Sequence, residues 1–319
     1  MTAILTLDIG GSKTELTLWQ SDCRMPYRLD SLIIPTDYPD ESGLQAPLNQ
    51  LCGDRQDIEA AVLAIAGPVS SQDGCLHLTN NPCRIDTAAL HALLPRDCRL
   101  SALNDLEALA YSIDMLTPDR LLQLKPGEHH PYGIRLAAAI GTGFGMAAIL
   151  PGKRVLPTEA GHTTFAPETA AQAALCRQIA AELPTPTVEH LLSGDGLARI
   201  FNTLHPQPQP LSAAEITGLA ASDQPLAAAA RQSISLFSGI AGTALANMAL
   251  IFLASGGIYL GGGVIAHLGG LFDCDAFAAA FTKEGAFRDM LADTPVYLIT
   301  DPAAVSLGAA IYAEHRLLG

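Results

Sequence analysis

The sequence predicts an α/β protein made of two related lobes, and three observations lead there. A strand, a glycine-rich turn and a returning strand occur twice, once around Gly10 and Gly11 and again at 141–145. Between and after them, Ala-rich segments at 168–183, 212–222 and 225–253 carry the periodicity of helices. A chain of 319 residues, 49% hydrophobic, also exceeds the usual compact domain and has enough apolar side chains for two cores.

The elements follow in order. Residues 3–9 alternate as a strand, Gly10-Gly11-Ser12-Lys13 turns the chain, and 14–19 return. Residues 60–65 form a fully apolar strand ending in Ala66-Gly67-Pro68, and 99–103 form another that leads into Asn104-Asp105 and a helix over 106–116. The second hairpin pairs 136–140 with 146–150. Pro157-Thr158 reads as a turn, 205–210 as a Pro-rich surface loop, and 258–260 as a strand closed by Gly261-Gly262-Gly263. The last residues, 305–319, read as an amphipathic helix packing back onto the first lobe. The expected division is 1–107 with 305–319 as the small lobe and 108–304 as the large one.

Charge and composition exclude several classes. Acidic residues number 32 against 18 basic, a net charge of −14, and no basic run could follow a phosphate backbone. Nucleic acid is therefore not an expected partner. The seven cysteines form no Cys-x-x-Cys pair and no zinc-finger spacing, so reduced thiols in a cytoplasmic protein are expected. The first residues lack the basic region of a signal peptide. Residues 233–266 carry no charge, but Asn247 and the break at Ser255-Gly256-Gly257 fit a buried helix and strand better than a membrane span.

The chemistry concentrates in the turns. Asp8 beside Gly10-Gly11-Ser12 can hold Mg²⁺ while the turn's amides approach phosphate, because glycines leave the approach open. Gly141-Thr142-Gly143 offers the same device. That run loosely mimics a dinucleotide-binding fingerprint with Glu159 downstream, but Pro151-Gly152 follows too soon for the helix such a site needs. No Walker pattern is present. Asn104-Asp105, between strand and helix, suits a helix N-cap, and equally a base that accepts a hydroxyl proton beside an amide that fixes a sugar. Glu159, His162 and Glu189 add groups able to satisfy sugar hydroxyls, whereas His190 reads as structural.

Taken in order, Asp8-Ile-Gly-Gly-Ser, Asn104-Asp105, Gly141-Thr142-Gly143, Glu159-x-Gly161-His162, Glu189 and Gly261-Gly262-Gly263 resemble the bacterial glucokinases, as do Thr79-Asn80, Ser193-Gly194-Asp195-Gly196-Leu197 and Pro295-Val296-Tyr297-Leu298. The resemblance spans nearly the whole chain and falls with the zinc-free group. It implies a two-lobed actin-like ATPase (ribonuclease H-like) fold with an interlobe cleft holding sugar and ATP. Asp105 would be the base on the glucose 6-hydroxyl. Asn104, Asp105, Glu159, His162 and Glu189 would bind the sugar. Asp8, Gly10, Gly11, Ser12, Thr142 and Gly143 would surround Mg²⁺ and the phosphates, with Gly262 and Gly263 beside adenosine. The implied partners are sugar and ATP in a homodimer, with no nucleic acid and no membrane. A kinase for fructose, mannose or N-acetylglucosamine, or a non-catalytic sugar-responsive protein, is the alternative.

The sequence departs from the family pattern in places. The first turn usually runs Asp-x-Gly-Gly-Thr-Asn-x-Arg, whereas this chain has Ser12, Lys13 and Glu15, and Lys13 resembles the zinc-containing group. Ala160 replaces a frequent glycine, and Cys83 stands where an aromatic is common.

Overall fold

The computed structural model describes residues 2–21, 25–69, 74–283 and 285–318. Alternation at the N-terminus becomes β1 (Thr2–Ile9) and β2 (Lys13–Ser21), joined by the glycine turn, with β3 (Tyr27–Pro35) beyond them. The apolar run is β4 (Ile58–Ile65), a small hairpin pairs β5 (Cys75–His77) with β6 (Arg84–Asp86), and β7 (Arg99–Asn104) precedes the helix Asp105–Ser112. Further on come β8 (Leu121–Lys125), β9 (Arg135–Ile140), β10 (Phe144–Leu150), β11 (Arg154–Thr158), β12 (Ile258–Gly261) and β13 (Val296–Ile299).

One sheet has the order β3-β2-β1-β4-β7, the other β11-β10-β9-β12-β13-β8. Each opens with an antiparallel meander of three strands and continues with two parallel strands, β4 and β7 in one and β12 and β13 in the other. The second sheet alone adds an antiparallel edge, β8. The repeat read from two glycine turns is thus a repeat of whole sheets.

The chain divides into two units, Met1–Thr117 with Asp301–Gly319, and Pro118–Thr300. The division expected after residue 107 would cut the helix Asp105–Ser112, which packs against the helix Ala304–Tyr312. In the first unit, alternate residues of β1 face two cores. Ala3, Leu5, Leu7 and Ile9 meet Leu16, Leu63 and Ile65, while Ile4 meets Trp19, Val62, Ala108 and Leu307 under the two helices. The helix Ala304–Tyr312 is not amphipathic, since all of Ser306, Leu307, Gly308, Ala309, Ala310 and Ile311 are buried. A buried polar knot ties it to the sheet: Thr6 Oγ1 lies 2.7 Å from Ser306 Oγ, and Trp19 Nε1 donates to Thr6 Oγ1 at 2.9 Å.

In the second unit, the helix Ala227–Phe252 is long and apolar enough to cross a membrane by length and composition. Its Ile234, Phe237, Ile240, Ala241 and Leu245 nevertheless lie in the core with Phe201, Phe277 and Phe281. Pro157 is in β11, not in a turn. Proline has no amide to donate, and β11 is an edge strand where none is needed on the outer side. Cys23 lies outside the described residues, and the other six cysteines form no disulfide among the described residues.

Helix contact in the first unit depends on Gly308, where a Cβ would sit 1.7 Å from the Ala108 carbonyl oxygen. Gly308→Ala should force the helices apart and lower stability by about 2–3 kcal/mol. Urea denaturation within about 0.5 kcal/mol of wild type would disprove this contact.

Candidate active site

In the first unit, β1 ends at a turn that the chain closes with its own backbone. Gly10 N–H donates to the Lys13 carbonyl at 3.0 Å, Thr36 N–H donates to the Ser12 carbonyl, and Asn81 Nδ2 donates to the Gly11 carbonyl at 2.8 Å. The carbonyls are therefore drawn inward, while the N–H groups of Gly11 and Ser12 have no hydrogen-bond partner among the described residues. Amides left open beside glycine form an anion nest.

Asn104 and Asp105 divide two tasks between them. Asn104 is the N-cap: its Oδ1 accepts from Leu106 N–H at 2.9 Å, Glu107 Oε2 accepts from Asn104 N–H in return, and Asn104 Nδ2 donates to the Gly67 carbonyl at 3.2 Å. Asp105 is the first helical residue, with Oδ1 accepting from Leu106 N–H at 2.9 Å. The cap is thus a property of Asn104, supported by Glu107.

Asp8, half-buried on β1, has two acidic neighbours. Burial, then the carboxylates of Asp105 and Glu15, push its carboxyl up to about 7, and Lys13 opposes the shift. From sequence Glu15 is noted only as a departure from the family's first turn, although a hairpin turning at residues 10–12 pairs Asp8 with Glu15, a register that could have been counted. These oxygens are the hard donors that Mg²⁺ prefers. No group of three His, Cys, Asp or Glu side chains among the described residues closes as a metal cage, and Mg²⁺ needs none, because one or two carboxylates, phosphates and waters suffice. The donor set at Asp8 fits that ion.

In the second unit, Gly141 N–H donates to the Gly143 carbonyl at 2.9 Å, and the Gly141 carbonyl accepts from Gly194 N–H at 3.0 Å. The N–H groups of Thr142 and Gly143, like those of the first turn, have no partner among the described residues. Gly262, at φ 103°, lies so close to β9 that a Cβ would be 2.3 Å from the Ile140 carbonyl oxygen; only glycine satisfies both demands. Gly263 then starts the helix Gly263–Leu268.

Glu159, His162 and Glu189 come together in this unit. His162 Nε2 lies 3.7 Å from Glu159 Oε2, and both side chains are exposed. Val188 N–H donates to the Thr163 carbonyl, and Phe165 N–H to that of Pro186, which join the Glu159 loop to the turn before Glu189. Glu189 Oε2 accepts from Phe144 N–H at 2.9 Å, so one carboxylate oxygen is tied to the start of β10. His190 Nδ1 accepts from Thr187 N–H at 3.1 Å within a helix cap.

Comparison with known proteins gives the following. A family model described as Glucokinase matches residues 5–316. The glucokinase of Erwinia tasmaniensis is 30% identical, covering 97% of this chain and 96% of its own. A glucokinase from Balamuthia mandrillaris, solved in complex with glucose, superposes with a TM-score of 0.81 at 23% identity, over 98% of this chain and 93% of that one. An ROK family glucokinase from Streptomyces griseus, solved with glucose and AMPPNP, gives 0.67 at 19% identity, over 97% and 98%. The likeness to these structures is one of fold, the actin-like ATPase fold.

The raised carboxyl of Asp8 has a consequence for the metal-free protein. Below about pH 4 it is neutral whether folded or unfolded and changes nothing; between there and about 7 the unfolded chain ionises first, so stability drains as pH rises. Asp8→Asn should therefore stabilise the chain in EDTA at pH 8 by about 2–4 kcal/mol, with the gain gone near pH 4. Denaturation curves at the two pH values check it, and an equal effect at both would contradict the electrostatic cause.

Proposed function

Because the chain belongs to the glucokinase family, we propose that it transfers the γ-phosphoryl group of ATP to the 6-hydroxyl of D-glucose, with Asp105 as the base. The observation that carries the role of Asp105 is its place at the first turn of a helix, oriented by Leu106 N–H and set at the end of parallel strand β7. Ends of parallel strands are where α/β folds present reactive side chains.

In the proposed reaction the glucose O6 attacks the γ-phosphorus, the bond from that phosphorus to the bridging oxygen breaks, ADP leaves, and the hydroxyl proton passes to the Asp105 carboxylate. Little else is asked of the protein beyond alignment and charge stabilisation. Asp8 would hold the magnesium that accompanies ATP, and that ion would supply neutralisation of charge on the phosphates. The open amides of Gly11, Ser12, Thr142 and Gly143 suit phosphate oxygens, with Gly10 leaving the approach clear. Gly262 and Gly263 would lie beside the adenosine; a Cβ at Gly263 would meet nothing closer than His267 Nδ1 at 4.0 Å. Asn104, Glu159, His162 and Glu189 would satisfy sugar hydroxyls; Glu189 would do so with the oxygen not engaged by Phe144 N–H. The reading includes a cytoplasmic homodimer, and the net charge of −14 supports leaving nucleic acid out of it.

Asp105→Asn is expected to lower kcat by about 10²–10⁴-fold with glucose affinity little changed. Since Asn104 forms the cap, folding should be retained, and a variant keeping more than about a tenth of wild-type kcat would exclude Asp105 as the base. The sugar itself is tested with a hexose panel. Glucose should give the highest kcat/KM, and a tenfold preference for fructose, mannose or N-acetylglucosamine would replace glucose as the substrate while leaving the kinase chemistry in place.

A further inference from the structure

Glu15 is a buried carboxylate that none of the roles above employs. It is 6% exposed and stands directly across from Asp8 in the pairing of β1 with β2. Directly opposed residues of an antiparallel pair project from the same face. Among the described residues its carboxylate has neither a hydrogen bond nor an ion pair. Among the described residues, the charged groups that act on Asp8 at this face are Glu15 and Asp105, of the same sign, and Lys13, two residues back on β2 and exposed. A second observation points the same way. Thr17, one step further along that face of β2, is fully buried, and its Oγ1 has no hydrogen-bond partner among the described residues. An uncompensated buried charge is costly to a fold, and an unsatisfied oxygen beside it calls for a missing ion or water.

We infer that Glu15 is a positioning residue for the divalent cation that accompanies the nucleotide: it adds a second buried negative charge beneath Asp8 and raises the affinity of this turn for Mg²⁺. Glu15 acts through the field at Asp8. The inference rests on reading Asp8 as the residue that holds the cation.

Binding of Mn²⁺ to the full chain in the presence of ADP, followed by electron spin resonance of free Mn²⁺, tests this without turnover. Glu15→Gln should raise the Mn²⁺ dissociation constant on the order of tenfold, and Glu15→Asp, which keeps the charge, should return it to within about threefold of wild type. Glucose binding by both variants, read by calorimetry, should match wild type and so report an intact fold. An unchanged Mn²⁺ affinity in Glu15→Gln, with Asp8→Asn clearly weakened, overturns the role of Glu15 and leaves the reading of Asp8 standing. Wild-type Mn²⁺ binding in Asp8→Asn sinks that reading and the inference with it. Glu15→Asp as weak as Glu15→Gln would mean that shape, not charge, is what matters, and also overturns the inference.

Discussion

The concentration of like charge at the end of β1 is the constraint around which the first unit is organised. Asp8, Glu15 and Asp105 arrive there from two strands and a helix, and at Asp8 the exposed Lys13 opposes the like charges. Nothing in the folding of the isolated chain favours that arrangement, since desolvation and repulsion both disfavour the charged form. The compensation comes from elsewhere in the unit. Apolar residues on both faces of β1, the Thr6–Ser306–Trp19 knot and the close contact at Gly308 fix the strands and helices that carry the acids. A site held under electrostatic tension needs a rigid frame, and it gains most from a ligand of opposite charge.

The repeated sheet order shows how one scaffold gives two chemistries. Both units carry a glycine-turned hairpin in the antiparallel part of the sheet, and both turns leave two backbone amides without partners among the described residues. What differs is the side chain brought to the turn. In the first unit it is the acid at the end of β1. In the second, Glu189 accepts from Phe144 N–H at the beginning of β10, and Gly262 lets the next segment lie against the backbone of β9. Open amides alone would suit any anion, so on the proposed reading these additions would set what each turn accepts.

Legibility in the sequence followed the range of the interaction. The hairpins at residues 3–19 and 136–150 and the long apolar helix were readable because periodicity is local. The edge strand β11 was read as a turn from Pro157, since a proline's meaning depends on whether its strand has a neighbour, and that is a tertiary fact. The first unit runs on to Thr117, past the expected boundary at residue 107, for a similar reason: the helices Asp105–Ser112 and Ala304–Tyr312 are in contact, and the two are remote in sequence. The two turns and most candidate residues were named from motifs. Glu15 stood out only as a departure from a pattern, because its burial depends on the helices packed over β1 and β2.

Asn104-Asp105 illustrates how a structural role and the proposed chemical one can occupy neighbouring residues without competing. From sequence, either residue of the pair could have been the cap, and capping by Asp105 would have made its carboxylate a structural acceptor. The structure gives the cap to Asn104, whose Oδ1 takes Leu106 N–H while Glu107 returns the bond to Asn104 N–H. Helix initiation is thereby satisfied before Asp105 is considered. The remaining bond, from Leu106 N–H to Asp105 Oδ1, fixes the rotation of the carboxylate at a helix N-terminus, where the negative charge is favoured by the backbone dipoles. A base needs a fixed direction and must be ionised before it receives its proton. The bond from Leu106 N–H provides the first, and the helix start favours the second.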